Sequence, residues 1–428
     1  MDLMEKITAL CKRRGFIFPS SEIYGGYQGF WDYGPLGVEL KNNIKKQWWK
    51  SMVYEREDVV GFDAAVIMNP IVWEKSGHLK EFTDPLVECK ECHKRVRADN
   101  DEEIKKHEKE HGGKGNWTEA KTFNLMTEVL LGTTEPKEKS YLRGEITQGV
   151  FVNFENVVNS SRVKIPFGIA QIGKAFRNEV TPGNFTFRSR EFEQMELEYF
   201  IRPEDKEGKD TFEYWKEERM KWYISLGMNK TKLRFKDHES EKRAHYAKQA
   251  TDIEYEAPFG WSEFEGIHHR GEYDLKNHGL NYKDPQTLEE YVPWVIETSG
   301  GVDRAMLFFL IDSYFEDGER IILKLSPKIA PYKVAVFPLL ANKPELVEKA
   351  RDIYNDLKKS ELFVIFDARG NIGKRYFAQD EIGTPWCVTV DFETLKDKKV
   401  TVRDRDTAKQ ERMEVDKLSR YFNNELSK

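Results

Sequence analysis

The chain has 428 residues, with 68 Lys and Arg against 74 Asp and Glu for a net charge of −6. That length exceeds one ordinary core and predicts about two or three domains, and 39% hydrophobic with 13% aromatic residues excludes a disordered chain. No run of about 18 apolar residues exists, which excludes a membrane-spanning helix, and the acidic balance argues against indiscriminate nucleic-acid binding.

The opening MDLMEKITALCKRRGF lacks an apolar signal core, so a mature cytoplasmic protein is expected. Four cysteines (Cys11, Cys89, Cys92 and Cys387) are too few and too scattered for a disulfide framework. Local basic patches at Lys12 to Arg14, Lys41 to Lys50 and Lys396 to Arg405 either hold a polyanion or are ordinary solvated faces.

Along the chain, Leu36 to Tyr54 reads as a helix, with Leu36, Leu40, Ile44 and Trp48 at helical spacing. Val66 to Met68 reads as a short strand ended by Asn69-Pro70. Between Trp73 and Ser140 the composition turns charged and loop-like, as in an insertion spanning about residues 75–140. Inside it Cys89, Cys92, His107 and His111 follow the pattern C-x2-C-x14-H-x3-H, within the window of tetrahedral zinc sites. The alternative there is incidental thiols beside two solvated histidines on a charged helix.

Strands follow from Phe151 to Phe200, then a helix over Lys209 to Leu226 with Gly227 at its stop position. Asp252 to Tyr255 and Tyr291 to Ile296 read as strands and Val302 to Phe315 as a helix. Ser326-Pro327 and Ala330-Pro331 punctuate the chain, and the pattern changes after them. Strands at Lys333 to Phe337, Leu362 to Asp367, Trp386 to Asp391 and Val400 to Arg403 alternate with helices at Lys343 to Lys359, Gly373 to Glu381 and Glu411 to Leu426. This predicts a small mixed-sheet α/β domain over 327–428, after a larger domain over 1–326.

The densest chemistry lies in FRNEVTPGNFTFRSREFEQMELEYF, Phe176 to Phe200, read as two antiparallel strands around Pro182, Gly183 and Asn184. Alternation puts Met195, Leu197, Tyr199 and Ile201 on one face and Gln194, Glu196 and Glu198 on the other. Such a strand is either half solvated or the floor of a reaction site. Arg177, Glu179, Arg188 and Arg190 crowd the same hairpin and favour the floor, because a triphosphate needs several guanidiniums in bidentate reach. An adenine needs an aromatic such as Phe192. In PWVIETSGGVDR a strand meets a Gly-Gly turn and a helix, with Arg304 in the first turn, where the helix dipole favours phosphate.

These segments resemble motifs 2 and 3 of class II aminoacyl-tRNA synthetases, with Pro70 matching motif 1. FWDYGPLGVELKNNI, VGFDAAVIMNP, EKSGH, REFEQMELEYF, AHYAKQATDIEY, GWSEFEGI, YDLKNHG, IETSGGVDR and NIGKRYFAQDEIGTP together resemble the dimeric type of glycyl-tRNA synthetase across nearly the whole chain. The resemblance implies an antiparallel-sheet catalytic domain with an insertion, an anticodon-binding domain, a homodimer, ATP with Mg2+, and tRNA-Gly and glycine as substrates. Other class II synthetases, or an inactive synthetase-like nucleic-acid-binding subunit, are the rival readings.

By the same resemblance, ATP would be held by Arg177, Asn178 and Glu179, by Phe187, Arg188, Ser189, Arg190, Glu191 and Phe192, by Glu263 and Phe264, and by Gly301, Val302, Asp303 and Arg304. Arg177 and Arg304 would act on the phosphates. Glycine would contact Glu145, Phe192, Glu193, Gln194, Met195, Glu196, Glu297, Thr298, Ser299, Gly300 and Gly301, and Arg97 would touch substrate. Glycine offers no side chain to grip, so Glu145, Glu196 and Glu297 would cage its ammonium and filled space would exclude larger amino acids.

Three segments depart from the family's usual pattern. LRPETAQG is here LRGEITQG (Leu142 to Gly149), FNLMFKT is FNLMTEV, and EPSAG is ETSGG. Where many bacterial relatives carry a second CxxC, this chain has His107 and His111.

Overall fold

A computed structural model of the chain describes residues 2–99, 101–113, 115–239, 247–360 and 362–427. Ala244 to Tyr246, the start of AHYAKQATDIEY, lie outside the described residues.

Seven strands form the sheet that carries the site: β1 (Val59–Gly61), β2 (Phe167–Phe176), β3 (Glu191–Ile201), β4 (Leu233–Asp237), β5 (Gln249–Ala257), β6 (Gly260–Gly271) and β7 (Trp294–Gly301). Their order is β4-β5-β6-β7-β3-β2-β1, antiparallel except for β1 beside β2. The alternation expected on β3 holds. Met195, Leu197, Tyr199 and Ile201 join the main core beneath helices α1 (Pro35–Trp49), α2 (Asp205–Ser225) and α3 (Val302–Ser313).

The opposite face of β3 is not half solvated. Glu196 and Glu198 are 1% and 0% exposed, because a second apolar cluster roofs the end of that face. Val150, Phe151 and Phe154 from two short helices (Thr147–Phe151 and Phe154–Ser161) pack there with Phe167, Phe200, Leu275 and Val295. Carboxylates planted on a covered face are forced into a dry environment, where each needs a partner.

Several local expectations are corrected. Val66–Met68 is not a strand: only Ile67 forms an isolated bridge, to Leu142. Asn69-Pro70 starts a helix instead (Pro70–Lys75), since the Asn69 side chain accepts from Ile71 N and proline suits the first helical turn. The expected helix Leu36 to Tyr54 is α1 continued by a π-helical turn, Lys50–Tyr54. Trp48 is fully buried in the core, and Trp49 packs so closely on Gly61 that a Cβ there would fall 2.3 Å from its ring. Trp48 is therefore core, and Trp49 is partly buried against it. The insertion is more than loop: Thr83–Glu88 pairs with Arg95–Arg97 and with Lys121–Asn124, and Asp101–Glu110 is helical. Strand β7 starts at Trp294, not Tyr291, because Pro293 has no N–H for the ladder.

The second sheet contains β8 (Val334–Pro338), β9 (Val364–Phe366), β10 (Trp386–Val390), β11 (Lys399–Asp404) and β12 (Gln410–Glu414), in the order β9-β8-β10-β11-β12. Strand β8 is parallel to both neighbours, as the β–α–β alternation requires. Helices α4 (Pro344–Lys358) and α5 (Ile372–Ile382) connect them. The expected helix Glu411 to Leu426 is shorter, Leu418–Ser427, and Gln410–Glu414 is a strand. A turn in which Asp404 Oδ1 accepts from Thr407 N (2.8 Å) folds the chain back onto β11, and edge pairing overrides the helical composition.

Thr298, 1% exposed on β7, stands opposite Leu197 and Ile267, and its hydroxyl has no partner among the described residues. Replacing it with the isosteric apolar residue removes a buried unpaired hydroxyl. Thr298→Val is expected to stabilise the protein by roughly 1–2 kcal/mol, read as a higher urea midpoint. A lower midpoint would mean that the hydroxyl is paired in solution.

Candidate active site

Strands β3 and β7 pair in a register that sets Glu196 opposite Ser299 and Glu198 opposite Glu297. Strand β6 adds His268 opposite Glu297, and the segment Glu145 to Gln148 closes the floor. Thr147 Oγ lies 2.6 Å from Glu196 Oε2 and 3.1 Å from Glu297 Oε1. Glu297 also meets Arg270 (2.9 Å) and His268 (2.6 Å). Arg270 continues to Asp274 at 2.7 Å, and Glu145 lies 3.3 Å from His78 and accepts from Gln148 at 3.2 Å. Glu196 accepts from Gln194 (2.7 Å) and Ser299 (2.5 Å).

The charges sort by partner. Burial works to raise the Glu297 carboxyl, but Arg270 and His268 hold it below its ordinary value. Burial works against ionised Glu145 too, and His78 and Arg270 bring it well down. Burial and the Glu297 charge push Glu198 well up. Burial would neutralise His268, and Glu297 outweighs it to raise that imidazole.

Above this floor opens a cleft lined by charged and aromatic side chains. It joins the acidic floor to an arginine-rich upper half made by Arg177, Arg188 and Arg304, with Glu179, Phe187, Ser189, Phe192, Glu263 and Phe264. The Arg177 guanidinium sits between the Phe82 and Phe192 rings, 5.1 and 5.2 Å from their centroids, and donates to Gly144 O. Arg304 stacks on Phe187 at 4.5 Å and donates to the carbonyls of Phe187 and Glu263. Guanidiniums held by stacking and carbonyls keep N–H groups for a phosphate.

Not every expected residue faces this cleft. Glu145, Glu193, Gln194, Glu196, Glu297, Ser299, Gly301 and Asp303 line it. Met195 is core, and Thr298 points its hydroxyl into apolar surroundings. Arg97 is held by Asp84 and Asp99, Glu191 by Lys174, and Arg190 by the carbonyls of Glu179 and Gln28. Asn178, Val302 and Gly300 do not line the cleft either. Thr147, His268 and Arg270 were missed. Period-2 alternation of Gly266, His268 and Arg270 toward the same face as Glu297 was the signal available for the last two.

Residues 128–313 match the class II tRNA synthetase core domain model (G, H, P, S and T), and 333–425 match the anticodon binding domain model. The glycine–tRNA ligase of Caldanaerobacter subterraneus is 50% identical, covering 99% of this chain and 98% of its own length. That of Borreliella burgdorferi is 51% identical (99% and 97%) and that of Thermobifida fusca 49% (100% and 98%). The chain belongs to the glycine–tRNA ligase family. It has the antiparallel class II core and the mixed-sheet anticodon-binding domain of that family.

Within the glycine–tRNA ligase pattern, two of the three departing segments, LRGEITQG and ETSGG, have physical consequences at the floor. At Gly144, in place of the usual proline, a Cβ would fall 2.9 Å from Phe82 and 3.0 Å from Met126, so those side chains occupy the space a larger residue would need. Thr147, where the pattern has alanine, adds the hydroxyl between two carboxylates. Thr298, where it has proline, adds the stranded one. In the insertion, the ligand atoms of Cys89, Cys92, His107 and His111 all lie within 4.8 Å of one another. His107 is 2% exposed with Nδ1 unbonded, and its Nε2 is 3.5 Å from Cys92 Sγ. No helix of the described residues is long and apolar enough to cross a membrane.

Arg270 is the cation shared by Asp274 and Glu297, and all three are buried. Arg270→Leu strands two carboxylates and is expected to cost about 3–5 kcal/mol of stability, seen as a large drop in Tm. A variant as stable as the parent would show that the acids take up protons at little cost.

Proposed function

We propose that the chain activates glycine with ATP and transfers it to the 3′ end of tRNA-Gly, using the cleft between β3 and β7. The observation that carries this reading is Glu196: a buried acid served only by neutral donors, on the floor of a cleft whose upper half is lined by arginines. The glycine carboxylate attacks the α-phosphorus, forming an O–P bond as the α–β bridging bond breaks and pyrophosphate leaves. A 3′-terminal tRNA hydroxyl then attacks the carbonyl of glycyl-adenylate, and AMP departs. No side chain acts as a nucleophile; the protein supplies positioning and charge stabilisation. Arg177 polarises the α-phosphate and the glycine carboxylate, and Arg304 grips the γ-phosphate. Mg2+ neutralises the triphosphate when bound, and Glu263 with neighbouring acids would hold it.

The same reading divides the chain at residue 327, with the C-terminal domain presenting β8 to β12 to unstacked anticodon bases. It makes the protein a cytoplasmic homodimer by its kinship with that family. It also gives the insertion a structural zinc on Cys89, Cys92, His107 and His111. In a tetrahedral zinc site the ligand sulfur and nitrogen stand about 3.6 Å apart, which the 3.5 Å between Cys92 and His107 matches. The His107 nitrogen without a hydrogen bond fits a residue held through its other nitrogen. A zinc there would order a polar segment that buries little apolar surface.

ATP–pyrophosphate exchange with each amino acid in turn tests the function. Glycine alone should support exchange; equal rates with alanine or serine would sink the pocket assignment, and silence with all of them would sink the reading. In the same assay Arg177→Ala should lose about 10²–10³ in rate, and activity within about tenfold of the parent would refute its role. Metal analysis of protein purified without chelator should find about one zinc per chain, lost in Cys89→Ser. A metal-free protein of full activity with an ordered insertion would end that assignment.

A further inference from the structure

The buried acids of the floor are not treated alike. Glu297 has Arg270 and His268, Asp274 has Arg270, and Glu145 has His78. Glu196 makes no ion pair among the described residues; its three donors, Thr147, Gln194 and Ser299, are all neutral. The Thr147 hydroxyl carries one hydrogen, yet it lies 2.6 Å from Glu196 Oε2 and 3.1 Å from Glu297 Oε1. One hydrogen serves one carboxylate, so with both acids ionised the Thr147 hydroxyl satisfies only one of them and the other faces it without a hydrogen. An added proton resolves the geometry: Glu196 Oε2–H donates to Thr147 Oγ, and Thr147 donates to Glu297.

We infer that Glu196 carries a proton in the free protein and that the substrate ammonium displaces it, so each glycine bound releases one proton to solvent. This rests on the glycine-activation reading above. The exchange balances: the carboxylic acid of Glu196 becomes a carboxylate, the zwitterion keeps all three N–H bonds, and the proton goes to buffer.

The surroundings agree. Facing Glu196 are Glu297 from β7, Glu145 and Arg143 from the segment before Thr147, Glu198 from its own strand, and His268 and Arg270 from β6. Of the cations, Arg270 and His268 are committed to Glu297, and Arg143 donates to the Lys174 and Ala64 carbonyls. Burial, with the Glu297 and Glu145 charges, pushes the Glu196 carboxyl up to about 8. Glu198 is also buried and has both oxygens unpartnered, but it does not line the cleft, so glycine cannot reach it and its proton stays.

Calorimetric titration of the full chain with glycine at pH 7, in buffers of different ionisation enthalpy, reads the released proton directly. We expect close to one proton released per glycine, with affinity rising about tenfold per pH unit below pH 7.5 and levelling above about 8. Saturable glycine binding with no buffer dependence would overturn the inference while leaving the function intact. Absence of glycine binding would overturn the functional reading and this inference with it. Glu198→Gln should release the same proton; loss of the release in that variant would assign the proton to Glu198 and refute the role of Glu196.

Discussion

Burying acids on one face of a strand whose other face is already buried is the constraint around which the catalytic core is organised. Strand β3 sends an apolar row into the main core and an acidic row onto a face that is itself roofed. Water cannot solvate those acids, so the fold has to bring them counter-charges or leave them neutral. Arg270 and His268 from β6 meet Glu297 of β7, and His78 from the short helix His78–Glu81 meets Glu145, which ties these elements to the floor. On the other side of the sheet the buried Arg219–Glu265 pair, with Tyr223, braces β6 against α2.

A second buried cluster fixes the upper half of the cleft. Asp303 accepts from Tyr33, from Lys41 Nζ at 2.6 Å and from the Glu193 backbone N at 2.6 Å. Lys41 and Lys45 of α1 both pair with Glu193. One carboxylate thereby holds α1, the start of β3 and the first turn of α3 in register. Its neighbour Arg304 is aimed at the cleft as a consequence. Asp303 lines the cleft, and its oxygens accept from three protein donors beside Arg304.

The departures from the family pattern fall where packing can absorb them. Phe82 and Met126 fill the space beside Gly144, and Phe82 also forms one wall for Arg177. The change at residue 144 and the arginine's seat are therefore parts of one arrangement. Thr147 sits inside the floor, where its hydroxyl, absent from an alanine, stands between two carboxylates.

Much was legible before any coordinates. Alternation along β3 and the β–α–β rhythm after residue 333 are local patterns, and each became the element it suggested, whereas the expected Gly-Gly turn is the paired end of β7, which runs directly into α3. The C-x2-C-x14-H-x3-H spacing placed four ligand-type residues in one cluster although the intervening strand Arg95–Arg97 was unforeseen. What failed was decided by neighbours. Gln410–Glu414 is a strand because β11 offers an open edge. Whether Glu196 and Glu198 face water or a roof depends on helices about 40 to 50 residues earlier in the chain. The sequence by itself determined which residues share a strand face, because that follows from backbone geometry within one element. Only the tertiary structure decided which acids obtain a cation, because counter-charges arrive from distant segments and the cost of lacking one depends on burial that no single segment encodes.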